Sequence, residues 1–98
     1  MIQIKEPWEE STDPSALISE LEREIGSTHY LTRFTGQFRV LSKNESNDDV
    51  LFEIREFGYI LVHLTWSENE PSNRFPTYSM LAKESDAQSI IDESHANY

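Results

Sequence analysis

The chain has 98 residues, and its eight lysines and arginines against eighteen aspartates and glutamates leave a net charge of −10 at pH 7. This length predicts one domain, 1–98, with a single core, and the charge repels nucleic acid and anionic membranes. The lack of cysteine excludes disulfides, thiolate catalysis and cysteine metal sites, while the lack of a signal peptide or membrane-length apolar run predicts a soluble, cytoplasmic protein.

The first helix follows a segment, residues 1–12, that we expect to be a loose arm carrying Trp8. Asp13-Pro14 is typical of a helix start, because aspartate accepts from a free N–H and proline has none to leave unsatisfied. Gly26 is typical of a helix end. Between these signals one apolar stripe faces the core, formed by Leu17, Ile18, Leu21 and Ile25, and the charged residues Glu20, Glu22, Arg23 and Glu24 are placed on the wetter side.

Three strands are predicted next by period-two alternation and turn residues. Gln37–Ser42 is the first, and a polar turn leads into Val50–Glu56. A tight connection at Glu56-Phe57-Gly58 then gives a hairpin with Tyr59–Trp66, which is apolar on both faces and is therefore expected at the centre of the sheet.

The last part of the chain predicts a loop at Ser67–Asn73 and an edge strand or irregular segment at Phe75–Leu81, because Pro76 interrupts the pattern. Ser85–Gln88 resembles a capping box that opens a short helix. The predicted fold is therefore α+β: a three- to four-stranded antiparallel meander packed by an N-terminal helix and a short C-terminal helix.

Catalytic and metal chemistry find little support in the residues. His63 lies in the run VHLTW with Leu61 and Thr65 as its neighbours along one strand face, so no carboxylate accompanies it there. No paired histidine spacing, Gly-x-Ser-x-Gly elbow or phosphate-binding loop occurs. We therefore interpret His63 as structural and expect no catalytic residue, metal or cofactor. A small enzyme would need a cleft where His63 meets Asp48 or Glu53.

Binding is the better supported role, since the negative charge is concentrated between residues 45 and 70. Trp66 beside acidic residues is typical of an interface anchor with an electrostatic rim, although it could equally cap the core. Asp48-Asp49 could be turn chemistry alone, and acidity could serve solubility alone. The candidate partner-binding residues are Glu45, Asp48, Asp49, Glu53, Trp66, Glu68 and Glu70.

The run Asp48–Glu53, the strand ending in VHLTW, and the prolines Pro71 and Pro76 resemble a group of small acidic bacterial proteins over roughly residues 17–82. Size, acidity and lack of catalytic equipment are also similar to immunity proteins of bacterial toxin systems, including contact-dependent growth inhibition. That resemblance implies an inhibitor that binds a cognate toxin domain, often a basic nuclease, and blocks its active site. The alternative is a small non-catalytic housekeeping or regulatory domain, which could be dimeric through the edge at Phe75–Leu81.

Overall fold

An antiparallel sheet forms the middle layer of the molecule in the computed structural model, which describes residues 1–68 and 70–98. Within these residues the strand order is β1-β2-β3-β4-β5, with bounds Trp8–Glu9, Phe38–Asn44, Asp49–Ile54, Gly58–His63 and Thr77–Leu81. The helices are α1 (Pro14–Ile25), a 3-10 turn (Tyr30–Phe34) and α2 (Glu84–Ala96). The α+β meander is confirmed, with β1 as an additional strand. Asn69, within the predicted loop, lies outside the described residues.

The first helix begins and ends at the predicted signals. Asp13 Oδ1 accepts a hydrogen bond from the Ala16 N–H at 3.2 Å, and Pro14 occupies the first helical position. Gly26 ends the helix with a φ of 55°, and a Cβ there would lie 2.5 Å from Pro71 Cβ. Glycine thus serves two purposes, since it allows the left-handed turn and the close approach of the β4–β5 loop.

The two helices cover opposite faces of the sheet. Alternation along β3 separates the faces: Val50, Phe52 and Ile54 join the core beneath α1, whereas Leu51 joins the core beneath α2. The α1 core is completed chiefly by Leu17, Leu21, Ile25, Leu31, Phe34, Phe38, Ile60, Val62 and Leu64. Because Val50, Phe52 and Ile54 of β3 and Ile60 and Val62 of β4 are buried beneath α1, these strands form a rigid base for the turns at their ends.

The N-terminal segment is packed, so the expectation of a loose arm was wrong. Trp8 is 1% exposed and pairs with Asn44 across β1 and β2, while Ile2 and Ile4 pack against the α2 core. Lys5 Nζ also binds Asp92 Oδ1 of α2 at 2.9 Å. The segment showed no periodicity because only two of its residues pair with the sheet and several of its other contacts are with a helix more than 70 residues away.

The β3–β4 hairpin closes as predicted around glycine. Gly58 has a φ of 153°, and a Cβ at this position would lie 2.8 Å from the Leu81 carbonyl oxygen of β5. Any side chain there would push β5 away from β4. After β5 the chain turns into α2, whose start is held by the Lys83 N–H donating to Asp86 Oδ2 at 3.1 Å.

In the described part of the chain, no helix combines the length and the apolar character that crossing a bilayer requires.

Candidate partner-binding site

Four of the predicted residues lie at one end of the sheet, where the β2–β3 turn meets the end of β4. Glu45 and Asp48 are exposed and Asp49 is half-buried, and Trp66 follows β4 by three residues. A hydrogen bond from the Leu64 N–H to the Asp48 carbonyl, 3.2 Å long, joins the turn to the segment after β4. We call Glu45, Asp48, Asp49 and Trp66 the acidic end.

Hydrogen bonds within the turn give the acidic end a defined backbone. Asn44 Oδ1 accepts from the N–H and the hydroxyl of Ser46, both at 2.8 Å, and the Glu45 N–H donates to the Pro7 carbonyl at 2.7 Å. Asn47 Oδ1 accepts from the Asp49 N–H at 2.8 Å. Such asparagine turns fix the chain locally, so the acidic side chains project from an ordered surface.

The charges of the acidic end are incompletely neutralised. Within residues 1–68 and 70–98, no cationic group forms an ion pair with Glu45 or Asp48. Lys43 brings one positive charge near the turn, where its Nζ contacts the Asn44 carbonyl at 3.3 Å. Exposed carboxylates without a cationic partner create the negative potential that attracts a basic protein.

Trp66 is held away from the core by its backbone. The indole is 47% exposed, so the alternative that Trp66 caps the core is not what the structure shows. Its φ of 53° lies in the left-handed region, which costs a non-glycine residue free energy and persists only where other contacts impose it. Those contacts come from Glu24 of α1.

Glu24 accepts three hydrogen bonds from the segment after β4. The Thr65 N–H and hydroxyl donate to Oε1 at 2.8 and 2.9 Å, and the Trp66 N–H donates to Oε2 at 2.9 Å. Glu24 is only 6% exposed, so its placement on the wetter side of the helix was wrong. The helical period did not indicate that Glu24 is buried, because its three donors belong to Thr65 and Trp66, which follow it by 41 and 42 positions in the chain.

A second carboxylate lies beside Glu24 and changes its acid–base properties. Burial raises the pKa of the Glu24 carboxyl, and its contact with the Glu20 carboxyl raises this pKa further, while the donors on Thr65 and Trp66 oppose the rise. The pKa of Glu20 is lowered, mainly because the Arg23 guanidinium binds it. The backbone donors therefore offset only part of the cost of burying the Glu24 charge.

His63 does meet a carboxylate, which comes from the neighbouring strand. His63 and Asp49 are register partners in β4 and β3, and His63 Nδ1 lies 2.8 Å from Asp49 Oδ1. Leu61 and Thr65, its neighbours along the same strand, are not acidic, as the sequence indicated, and the contact with Asp49 depends on the register between β3 and β4. The imidazole is 53% exposed and no hydroxyl of the described residues bonds to it, so the pair lacks a nucleophile.

Glu68 and Glu70 follow Trp66 on the β4–β5 loop. Both are exposed, and Glu70 lines a cleft of about 480 Å³ together with Glu24, Thr65, Arg74 and Phe75. Phe75 is half exposed at this cleft. The cleft reaches Thr65, which precedes Trp66 in the chain, and Arg74 makes its charge mixed.

Glu53 stands apart from the other predicted residues. It lies four residues along β3 from Asp49, a separation of about 14 Å at the rise of a strand, and it pairs with Arg39 of β2 at 2.8 Å. The structure therefore brings Glu45, Asp48, Asp49 and Trp66 to one end of the sheet, places Glu68 and Glu70 on the loop that follows, and leaves Glu53 toward the other end of β3.

A different histidine, His29, lies in the core, whereas His63 lies on the exposed surface of the sheet. His29 is 3% exposed; its Nε2 donates to the Pro76 carbonyl at 2.9 Å, and its Nδ1 accepts from the Leu31 N–H at 3.0 Å. It also packs against Tyr78 with ring centroids 5.3 Å apart. No group of three or more histidine, aspartate or glutamate residues suited to a metal occurs among the described residues.

Comparison with known proteins adds no assignment to this geometry: no family model, no curated protein and no solved structure matches the chain.

Proposed function

We propose that this protein is an immunity protein, a cytoplasmic inhibitor that binds a cognate bacterial toxin, in particular a basic nuclease, and blocks its active site. The observation that carries the proposal is the acidic end: the exposed carboxylates of Glu45 and Asp48, which have no cationic partner among the described residues, and the indole of Trp66, which is held 47% exposed. Tryptophan is among the residues that contribute most to binding at protein interfaces, and surrounding charges add specificity.

The chemistry of a nuclease fits this surface. A nuclease binds phosphates through lysines and arginines, and carboxylates at comparable spacing can pair with the same cations. A net charge of −10 accelerates the encounter with a basic protein through long-range attraction. Recognition is the role proposed for this surface, with the His63–Asp49 pair contributing to the turn geometry.

Ordered backbone favours binding for a second reason. Glu24 and the asparagine turns hold the acidic end in one conformation before any partner arrives. A surface that is already ordered loses little conformational entropy on binding, so more of its interaction free energy appears as affinity. The left-handed Trp66 is consistent with this purpose, since strained residues are found where function requires a fixed side chain.

Co-expression with the toxin domain encoded by the adjacent gene tests the proposal. We expect the pair to co-purify, nuclease activity to be lost in the complex, and affinity to fall as salt is raised, because screening weakens attraction between opposite charges. Absence of an adjacent toxin gene, or a complex that leaves the nuclease fully active, would contradict it.

Charge reversal at two turns locates the interface. Glu45→Lys at the β2–β3 turn should lower the affinity for the toxin domain about tenfold, or about 1.4 kcal/mol. Glu56→Lys at the β3–β4 turn is the matched control, because it makes the same charge change in an exposed turn at the opposite end of β3. Equal losses in the two variants would indicate a general charge effect and would remove the acidic end from the proposal.

A further inference from the structure

The outer edge of β5 is a strand edge without the protection that the opposite edge of the sheet has. β5 is the last strand in the order β1-β2-β3-β4-β5, and it pairs on one side only, with β4. Apart from that ladder, the backbone of Thr77–Leu81 makes no hydrogen bond to any described residue. It therefore leaves outward N–H and C=O groups able to pair with another strand.

The composition of this edge is unusual for a protein of such charge. Strand edges are normally kept from pairing by short length, by charged side chains or by bulges. β1, at the other edge, has two residues and carries Glu9. β5 has five residues, Thr-Tyr-Ser-Met-Leu, none of them charged, and its register with β4 is uninterrupted.

The surroundings of β5 favour a second copy of this chain. Residues 71–83 contain no acid and two bases, Arg74 and Lys83, so acidic repulsion is locally absent along this edge. An antiparallel pair centred on Ser79 would place Tyr78 next to the partner copy's Met80, an aromatic–thioether contact. It would also bring Arg74 toward the other copy's Glu84 at the start of α2.

We propose that the protein forms a reversible homodimer through antiparallel pairing of β5 with β5 of a second copy, which makes one continuous sheet of ten strands. The β2–β3 turn, which carries Glu45, Asp48 and Asp49, is separated from β5 by β4 in the strand order. A five-residue edge is short for a permanent interface, so the dimer dissociates on dilution. Net repulsion between two chains of −10 each makes added salt strengthen the dimer, the opposite of its expected effect on a basic toxin.

Sedimentation of the full chain over a range of concentrations tests the proposal. With rising protein concentration, the mass should increase from 11.4 kDa toward twice that value, about 23 kDa. The increase should occur at lower protein concentrations in high salt than in low salt. Ser79→Lys puts like charges opposite each other at the centre of the pair and should weaken association at least about tenfold. Ser19→Lys, on the exposed side of α1, is the control with the same charge change and should dimerise like wild type.

Mixing Ser79→Lys with Ser79→Glu distinguishes a specific contact from a folding defect. Each variant alone should stay at 11.4 kDa, and the mixture should recover the dimer because opposite charges then face each other. A wild-type chain that stays monomeric at high concentration and high salt overturns the proposal. Dimerisation of Ser79→Lys equal to that of wild type also overturns it. A third contrary result is a wild-type chain that is monomeric on its own and binds the toxin, while Ser79→Lys does not bind it, because β5 would then contact the toxin.

Discussion

Removing the Glu24 carboxylate should destabilise the protein far more than its position on a helix surface suggests. Glu24→Ala leaves the Thr65 N–H, the Thr65 hydroxyl and the Trp66 N–H without their acceptor, and these three bonds are 2.8 to 2.9 Å long. Hydrogen bonds to a charged group contribute about 1.5–3 kcal/mol each before opposing costs. Burial of the charge and the nearby Glu20 carboxyl oppose them, as the raised pKa of Glu24 indicates.

The expected net loss is therefore about 2–4 kcal/mol, below the simple sum of the three bonds. For a domain of 98 residues this corresponds to a fall in Tm of about 10–20 °C. Glu22→Ala is the matched control on the same helix, because Glu22 accepts one exposed bond, from the Gly36 N–H at 3.0 Å. The free energy of unfolding of Glu22→Ala should fall by less than about 1 kcal/mol.

Urea unfolding followed by tryptophan fluorescence measures both variants. In Glu24→Ala the native spectrum should also change, since Trp66 loses the bond that holds its left-handed backbone, while Trp8 stays buried. A Glu24→Ala variant no less stable than Glu22→Ala would refute the view that Glu24 anchors the loop.

The pH dependence of Glu24→Gln gives an independent measure of the same group. The folded pKa of Glu24 is raised, so the folded state binds the proton more tightly than the unfolded state, and this contribution is present at low pH and lost as pH rises through the folded pKa. The free energy of unfolding of wild type relative to Glu24→Gln should therefore fall as pH rises from the ordinary pKa of a glutamate through the raised pKa of folded Glu24. A difference that grows over this range would contradict the raised pKa.

Three further substitutions probe the rest of the fold. Trp8→Ala should cost about 3–5 kcal/mol in urea unfolding because it empties the space between α2 and the sheet; a loss below about 1 kcal/mol would restore the idea of a loose arm. His63→Gln should change stability by less than about 1 kcal/mol, since the His63 imidazole is 53% exposed, and a larger loss would reveal a larger structural role. Gly58→Ala should lower stability by about 1–3 kcal/mol because its Cβ meets the Leu81 carbonyl, and an unchanged Tm would show that β5 shifts freely.

The local elements were predictable because their determinants lie close together in the sequence. Asp13-Pro14 and Gly26 mark both ends of α1 within 14 residues, and the alternation of Val50, Phe52 and Ile54 assigned one buried face of β3. Glu45, Asp48 and Trp66 were predicted to share a surface, and the hairpins that join their strands bring them to one end of the sheet.

The roles that sequence patterns did not predict all depend on partners distant in the chain. Glu24 is buried because Thr65 and Trp66 supply its donors, His63 has a carboxylate neighbour because the β3–β4 register places Asp49 opposite it, and Trp8 is ordered because α2 covers it. Periodicity reports which face of an element is apolar, so the sequence alone determined α1, α2 and β2 to β4 and the apolar faces of α1 and β3, but not β1. It does not report which element returns to that face or in what register, and only the tertiary structure decided those contacts.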